Sequence, residues 1–256
     1  MGSNVTYRVR PLNKNTLDEL TNSYLWFSRP SAFKGDSKDG NIGAFVTDTP
    51  AIKKGFLLMW PDFPFEEWYR KMDHTGICCF TTQIPTSDEM SHFPRCKNGK
   101  GICIEYDKLK LTNYFARESS VILRPEFFKV IYNENPTKLD SCDKWSILWE
   151  DCGEKGEKRY RTIPEIFSYS HPRDKDEFIY KLLTRLNSRF KNQKEERLII
   201  GSPLAPSHEE QIQGYKVPIP NDAINHIFVY PKVGDIFKRA LQNIESIKNK
   251  INLVKD

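Results

Sequence analysis

The chain of 256 residues carries 39 basic and 34 acidic side chains, a formal charge of +5, and 38% hydrophobic residues that include 16 Phe, 11 Tyr and 5 Trp. This is enough apolar and aromatic surface for a sizeable core, which excludes a wholly disordered chain. No Gly/Ser or Pro-rich linker separates differently patterned halves, so a single domain over residues 1–256 is expected, with a core at about 5–232.

No stretch reaches the roughly 18 apolar residues of a membrane span, and Met1 to Arg10 lacks an apolar signal core. The expectation is a cytoplasmic protein with no membrane partner. Met1-Gly2-Ser3-Asn4-Val5-Thr6 fits the loose myristoylation pattern, which chance alone satisfies. The basic excess, with a pI near 8.7, is spread along the chain; it permits an anionic partner without requiring one.

In chain order, Tyr7-Arg8-Val9-Arg10 alternates as a strand, and Thr16 is expected to cap a short helix ending near Asn22. Tyr24 to Ser28 is an aromatic strand, Ser31 to Gly43 a loop, and Pro50 to Met72 helical. Gly76 to Thr82 forms a buried strand ending in hydroxyls, and Lys100 to Tyr106 and Phe128 to Tyr132 form two more. Asp143 to Arg161 is predicted as a loop or peripheral insertion.

From Asp174 to Phe190 the recurrence of Phe178, Leu182, Leu186 and Phe190 predicts the clearest helix. Glu195 to Ile200, a segment holding Val217 and Ile219, and Ile227 to Tyr230 follow as strands. Asp235 is expected to cap an amphipathic C-terminal helix over about 235–253. Strands mixed with segregated helices define an α+β class with a mainly antiparallel sheet.

Cys78, Cys79, Cys96, Cys103, Cys142 and Cys152 form no paired C-x-x-C units, so reduced thiols are expected, with neither zinc nor disulfides. Phosphate-loop, G-x-G-x-x-G, H-E-x-x-H and G-x-S-x-G signatures are all missing.

A set of segments follows in a specific order. They are Tyr7 to Arg10; Leu25 to Pro30 with Phe33; Cys79-Phe80-Thr81; Met90 to Phe93 leading through Gly101 to Ile104-Glu105-Tyr106; Val130 to Tyr132; Lys194 to Ile199; and Val217 to Ile224 with Ile227. This order resembles the bacterial domain-of-unknown-function family 2971. Two places depart from the pattern: Lys34-Gly35-Asp36-Ser37 replaces an acidic stretch, and Gln193 stands at the first acidic place of Phe190 to Arg197.

The family name implies no activity, but a second resemblance does. An early strand with Arg, a middle strand ending in hydroxyls and Gln193-Lys194-Glu195 are similar to the Arg, Ser/Thr and Gln/Glu-x-Glu series of ADP-ribosyltransferases. That implies NAD as substrate and an ADP-ribosyltransferase-like fold. Glu195 would stabilise the oxocarbenium charge, and Gln193, two places away on one strand, would orient a nucleic-acid or protein acceptor. Arg8 or Arg10 would pair with pyrophosphate, Thr81 would shape the nicotinamide pocket, and Tyr24 or Trp26 would stack on a ring.

By analogy such an enzyme serves as a bacterial toxin or antiviral defence effector. Two alternatives stay open. Trp26, Phe27, Trp60 and basic residues would serve a nucleotide or nucleic-acid binding module without chemistry. Glu105, Glu195 and Glu196 around a divalent ion would serve a nuclease. A structural ion pair between Glu195 and Arg197 is the competing reading of the late strand.

Overall fold

A computed structural model describes residues 4–33, 75–118, 126–133, 146–152, 158–162, 183–201 and 213–254. The expected helices within Pro50 to Met72, the Ser31 to Gly43 loop beyond Phe33, and Trp60 lie outside these residues. The fold is mixed, with few helices and a mainly antiparallel sheet.

Strand β1 (Val5–Pro11) pairs antiparallel along its whole length with β4 (Gly101–Asp107), which pairs in turn with β12 (Ile224–Val229). β13 (Ile251–Leu253) adds parallel to β12. On the other side β2 (Tyr24–Ser28) pairs with β11 (Gly214–Pro218), and β3 (Thr75–Thr81) pairs with β10 (Glu195–Gly201), which also carries β5 (Glu126–Lys129).

The two groups of strands meet at a fork. One edge of β3 is filled by β10; the other is shared, through the single pairs Ser28 with Ile77 at its start and Tyr7 with Thr81 at its end. Beyond Tyr7, β1 is paired only with β4, so the sheet divides between β1 and β2.

Helix α1 (Lys14–Thr21) links β1 to β2, and α2 (Lys108–Glu118) follows β4. Leu111 and Phe115 of α2 press on the inner face, where Phe27 meets Phe115 edge-on at 5.7 Å and Phe80 meets Tyr106 likewise at 5.7 Å. Leu20, Leu25, Cys78, Ile102, Ile104 and Leu198 complete this core.

Several expectations are corrected. The α1 cap is Asn13, whose side chain accepts from Thr16 N at 3.0 Å; Thr16 lies within the helix and donates its hydroxyl to Pro11 O. Phe128 to Tyr132 is two strands: β5 belongs to the main sheet, while β6 (Ile131–Asn133) pairs with β9 (Arg185–Asn187) in a separate two-stranded sheet. Ile131 therefore does not share the common core.

The Asp143 to Arg161 region holds a hairpin, β7 (Ser146–Cys152) with β8 (Lys158–Thr162). The helix expected to reach Phe190 has ended by Arg185: Leu186 lies on β9 and Phe190 on a 3-10 turn, Ser188–Gln193. The C-terminal helix is also shorter than expected. It is α3 (Asp235–Gln242), preceded by Gly234 as its cap, and Ile251 is withdrawn into β13 by pairing with Ile227.

Candidate functional site

A cavity of about 410 Å³ lies at the fork. Antiparallel partners face the same side of a sheet, so Ile77 and Cys79 of β3 share a face with Glu195 and Arg197 of β10, and the Ser28 to Ile77 pair brings Trp26 of β2 onto it. These residues form one wall; Arg8, Val9 and Arg10 from the diverging edge of β1 form another. Phe33, Phe93, Arg95, Phe190 and Gln193 border the rest.

The structure thus brings together five of the seven residues expected at the site, Arg8, Arg10, Trp26, Gln193 and Glu195. Tyr24 and Thr81 do not line the cavity. The Tyr24 hydroxyl donates to Asp18 at 2.7 Å and its ring lies under Lys216 Nζ. Thr81 is buried at the join of the sheet, paired with Tyr7 on one edge and with Glu195 on the other. The late strand accordingly lies one strand away from β1, with β3 between them.

Glu195 is buried and its Oε1 accepts from Arg197 Nε at 2.6 Å. Arg197, 0% exposed, also donates from Nη1 to Leu183 O at 2.6 Å and stands over the Phe33 ring at 5.3 Å. The Glu195 N–H donates to the Tyr132 hydroxyl, which fixes the backbone where the strand begins. Glu195 Oε2 accepts no hydrogen bond from a described residue.

Gln193 is not on the strand with Glu195. It ends the 3-10 turn, and Lys194 follows in the left-handed region (φ 46°, ψ 46°), so two-residue alternation does not relate Gln193 to Glu195. Both border the cavity, Gln193 from the turn and Glu195 from the strand. Gln193 Nε2 donates to His92 O at 3.1 Å, which ties the turn to the Glu89–His92 segment.

Sequence reasoning missed Glu19. This α1 carboxylate is 1% exposed; it contacts Arg8 Nη1 with Oε1 and lies 2.8 Å from Arg10 Nη2 with Oε2. Arg8 also donates to Trp26 O at 3.3 Å, so its guanidinium spans the fork between β1 and β2. Arg10 is the more accessible of the two arginines, and its Nε has no hydrogen-bond partner among the described residues. A charged residue beside Leu20 on the face that also buries Thr16 was the available signal for Glu19.

Among the described residues four arginines, Arg8, Arg10, Arg95 and Arg197, line the cavity against one carboxylate, Glu195, with Glu19 behind the first two. This described lining is therefore electropositive, and it includes aromatic rings. Glu196 points away from it, to Lys108 Nζ at 2.8 Å, and Glu105 accepts from Asn225 on β12's side of the sheet, so Glu105, Glu195 and Glu196 do not converge. Among the described residues no group of three His, Cys, Asp or Glu side chains could hold a metal.

Cys78, Cys96 and Cys103 are free thiols, and burial raises Cys78 to about 12 and Cys96 to about 11. Cys142 lies outside the described residues. No helix among them is long and apolar enough to cross a membrane. No protein-family model matches the chain, and neither a curated protein nor a solved structure does.

Proposed function

We propose that the chain is an NAD-consuming ADP-ribosyltransferase, of the sequence pattern of family 2971, with its site at the fork of an ADP-ribosyltransferase-like sheet. One observation carries the reading: Arg10, Trp26, Gln193 and Glu195, drawn from separate parts of the sequence, border one electropositive cavity of about 410 Å³. Ligand sites of roughly 300–1,000 Å³ hold molecules of nucleotide size.

In this reading the residues divide the dinucleotide between them. Arg10, with an unpaired buried Nε, supplies a donor for pyrophosphate. Trp26 offers a ring face. Arg8, bound to Glu19 and to Trp26 O, is assigned to holding the fork rather than to the phosphates. Breaking the bond between nicotinamide and ribose C1′ builds oxocarbenium charge, which Glu195 stabilises with Oε2 while Arg197 fixes Oε1. Gln193 positions the acceptor. A toxin or defence role would follow from the acceptor modified.

The test is release of nicotinamide from NAD. Glu195→Gln keeps the volume and removes the charge, and should slow release by about a hundredfold or more in a protein that still melts cooperatively. A folded variant as fast as the parent would remove Glu195 from the chemistry. The buried Glu195 to Arg197 pair favours a second reading, nucleotide binding without reaction. Nucleotide binding by a parent that releases no nicotinamide would select it.

A further inference from the structure

We infer that the acceptor is a single-stranded nucleic acid, gripped by the cavity rim beside Gln193; its chemistry rests on the transferase reading, its binding on the rim alone. Two segments build this rim. The Ser188–Gln193 turn and its left-handed exit at Lys194 leave Arg189, Lys191 and Lys194 exposed. Opposite, the chain after His92 carries Phe93, Pro94 and Arg95 along the cavity wall, with Arg95 in the left-handed region at φ 66°.

The segments are joined by two contacts. Gln193 donates to His92 O, and Lys194 Nζ lies 4.0 Å from Glu89 Oε1. Two half-buried rings, Phe93 and Phe190, border the cavity, Phe190 standing in the chain between Arg189 and Lys191 and Phe93 two places before Arg95, and the Arg189 guanidinium lies 4.5 Å from the centre of the Phe190 ring. Asp88 and Glu89 are the acids of the opposing segment, and Glu89 is engaged by Thr86 N at 2.9 Å.

Cations alternating with aromatic faces match a strand of phosphates and bases. Repeated cations suit a repeated anion; an unspecified protein acceptor supplies no such repeat. The nucleophile must reach ribose C1′ inside the cavity, which a base held in a duplex cannot do, so the strand is single or locally opened.

Gln193 Nε2 is spent on His92, and its amide oxygen accepts no hydrogen bond from a described residue. That oxygen is suited to accept from a base N–H and aim the nitrogen at C1′. The nitrogen forms a bond to C1′ as the bond from C1′ to nicotinamide breaks. Nicotinamide leaves neutral with the electron pair, and the base proton passes to Glu195 and on to water.

The experiment has two arms, both on the full chain. In the first, fluorescent single-stranded DNA and RNA oligonucleotides are titrated by anisotropy without NAD, at several salt concentrations. Binding to at least one is expected, with log affinity falling linearly in log salt. A Lys191→Glu, Arg95→Glu double variant with an unchanged melt should weaken it by roughly tenfold or more and lower the slope by about 0.7 for each phosphate no longer neutralised. Absence of binding to both oligonucleotides, or a double variant equal to the parent, overturns the inference.

In the second arm, NAD labelled in its adenylate half is supplied with oligonucleotide, duplex and cell-extract protein together. Label on the single strand supports the inference, and label on protein alone overturns it while leaving the transferase reading intact. Nicotinamide release without NAD-dependent oligonucleotide labelling likewise overturns the acceptor and keeps the enzyme. Oligonucleotide binding by a parent that releases no nicotinamide keeps the rim as a nucleic-acid surface and removes the transferase.

Discussion

At the residue scale the arginine partners of Glu19 and Glu195 differ in what they hold. Glu19 joins α1 to both arginines of β1, whereas Arg197 holds a carboxylate two positions back on its own strand and a carbonyl from outside it. Removing one partner of a buried pair leaves an uncompensated charge, which costs about 3–5 kcal/mol. Arg197→Met should therefore lower stability by that amount in denaturant melts. Glu195→Gln should cost less, because the amide oxygen can still accept from Nε and the bond from Nη1 to Leu183 O survives. Equal stability of Arg197→Met and the parent would mean that Glu195 reaches water when Arg197 is gone. At this scale the sequence showed the types but not the partners: Glu195 with Arg197 was legible as an i, i+2 pair, while Glu19 with Arg8 and Arg10 depends on how α1 folds back over β1. Gln193 and Glu195 border one cavity without sharing a strand face, since a left-handed Lys194 separates turn from strand. Phe93 and Arg95 carried no periodic signal at all.

At the element scale, strands buried by alternation were legible, and elements decided by tertiary pairing were not. β1, β2, β3, β4 and β10 all lie where short apolar or alternating runs put them. α2 escaped notice although Leu111 and Phe115 have helical spacing and the Asp107 side chain caps it by accepting from Lys110 N at 3.0 Å. The C-terminal pattern looked like one long helix because Ile247 and Ile251 keep a four-residue step, yet pairing of Ile251 with Ile227 adds a strand instead. Close packing between elements gives one prediction. A Cβ on Gly76 would lie 2.1 Å from Tyr215 Oη and 2.7 Å from its Cζ, against a ring stacked on Phe27 at 6.1 Å. Gly76→Ala should cost about 1–3 kcal/mol, read from chemical denaturation. A second concerns Asp18, which ties α1 to β2 and β11. Hydrogen bonds from Lys216 and then from Tyr24 lower its pKa from 3.8 to about 2. The folded state thus prefers the ionised form, so the contribution is complete above the ordinary carboxylate range and fades as pH falls toward about 2. Asp18→Asn should lower the urea midpoint at neutral pH, with the gap from the parent closing on acidification; a gap that widens with acid would reverse the assigned direction.

At the scale of the whole molecule, the sheet is nearly two sheets. Among the described residues the ladder pairs on the shared edge of β3 are Ser28 with Ile77 and Tyr7 with Thr81, and the Arg8 guanidinium is one of the groups that crosses the gap above them. A ligand in the cavity would touch both sides and act as a cross-link. It binds the folded chain alone, so it should stabilise by about 2.7 kcal/mol at a hundred times its Kd. The proposed contacts fix which ligands qualify. ADP-ribose keeps the pyrophosphate that Arg10 is placed to meet and lacks the bond that would be cleaved, so it should raise the melting temperature and persist through the scan. Adenosine and nicotinamide, without phosphate, should give little increase at the same concentration. Arg10→Ala should remove most of the ADP-ribose increment and lower the unliganded melt less than Arg8→Ala does, because Glu19 keeps its contact with Arg8 and the Arg8 bond to Trp26 O survives. Arg8→Ala should instead lower the unliganded melt, since it strips Glu19 of one partner and frees the Trp26 carbonyl. Amide exchange on β1 and β2 reads the same event locally, with protection expected to rise on both strands together when ADP-ribose is added. An ADP-ribose increment that survives Arg10→Ala would place the pyrophosphate elsewhere in the cavity. No increment with either ADP-ribose or NAD, even at millimolar concentration, would remove the dinucleotide from the fork.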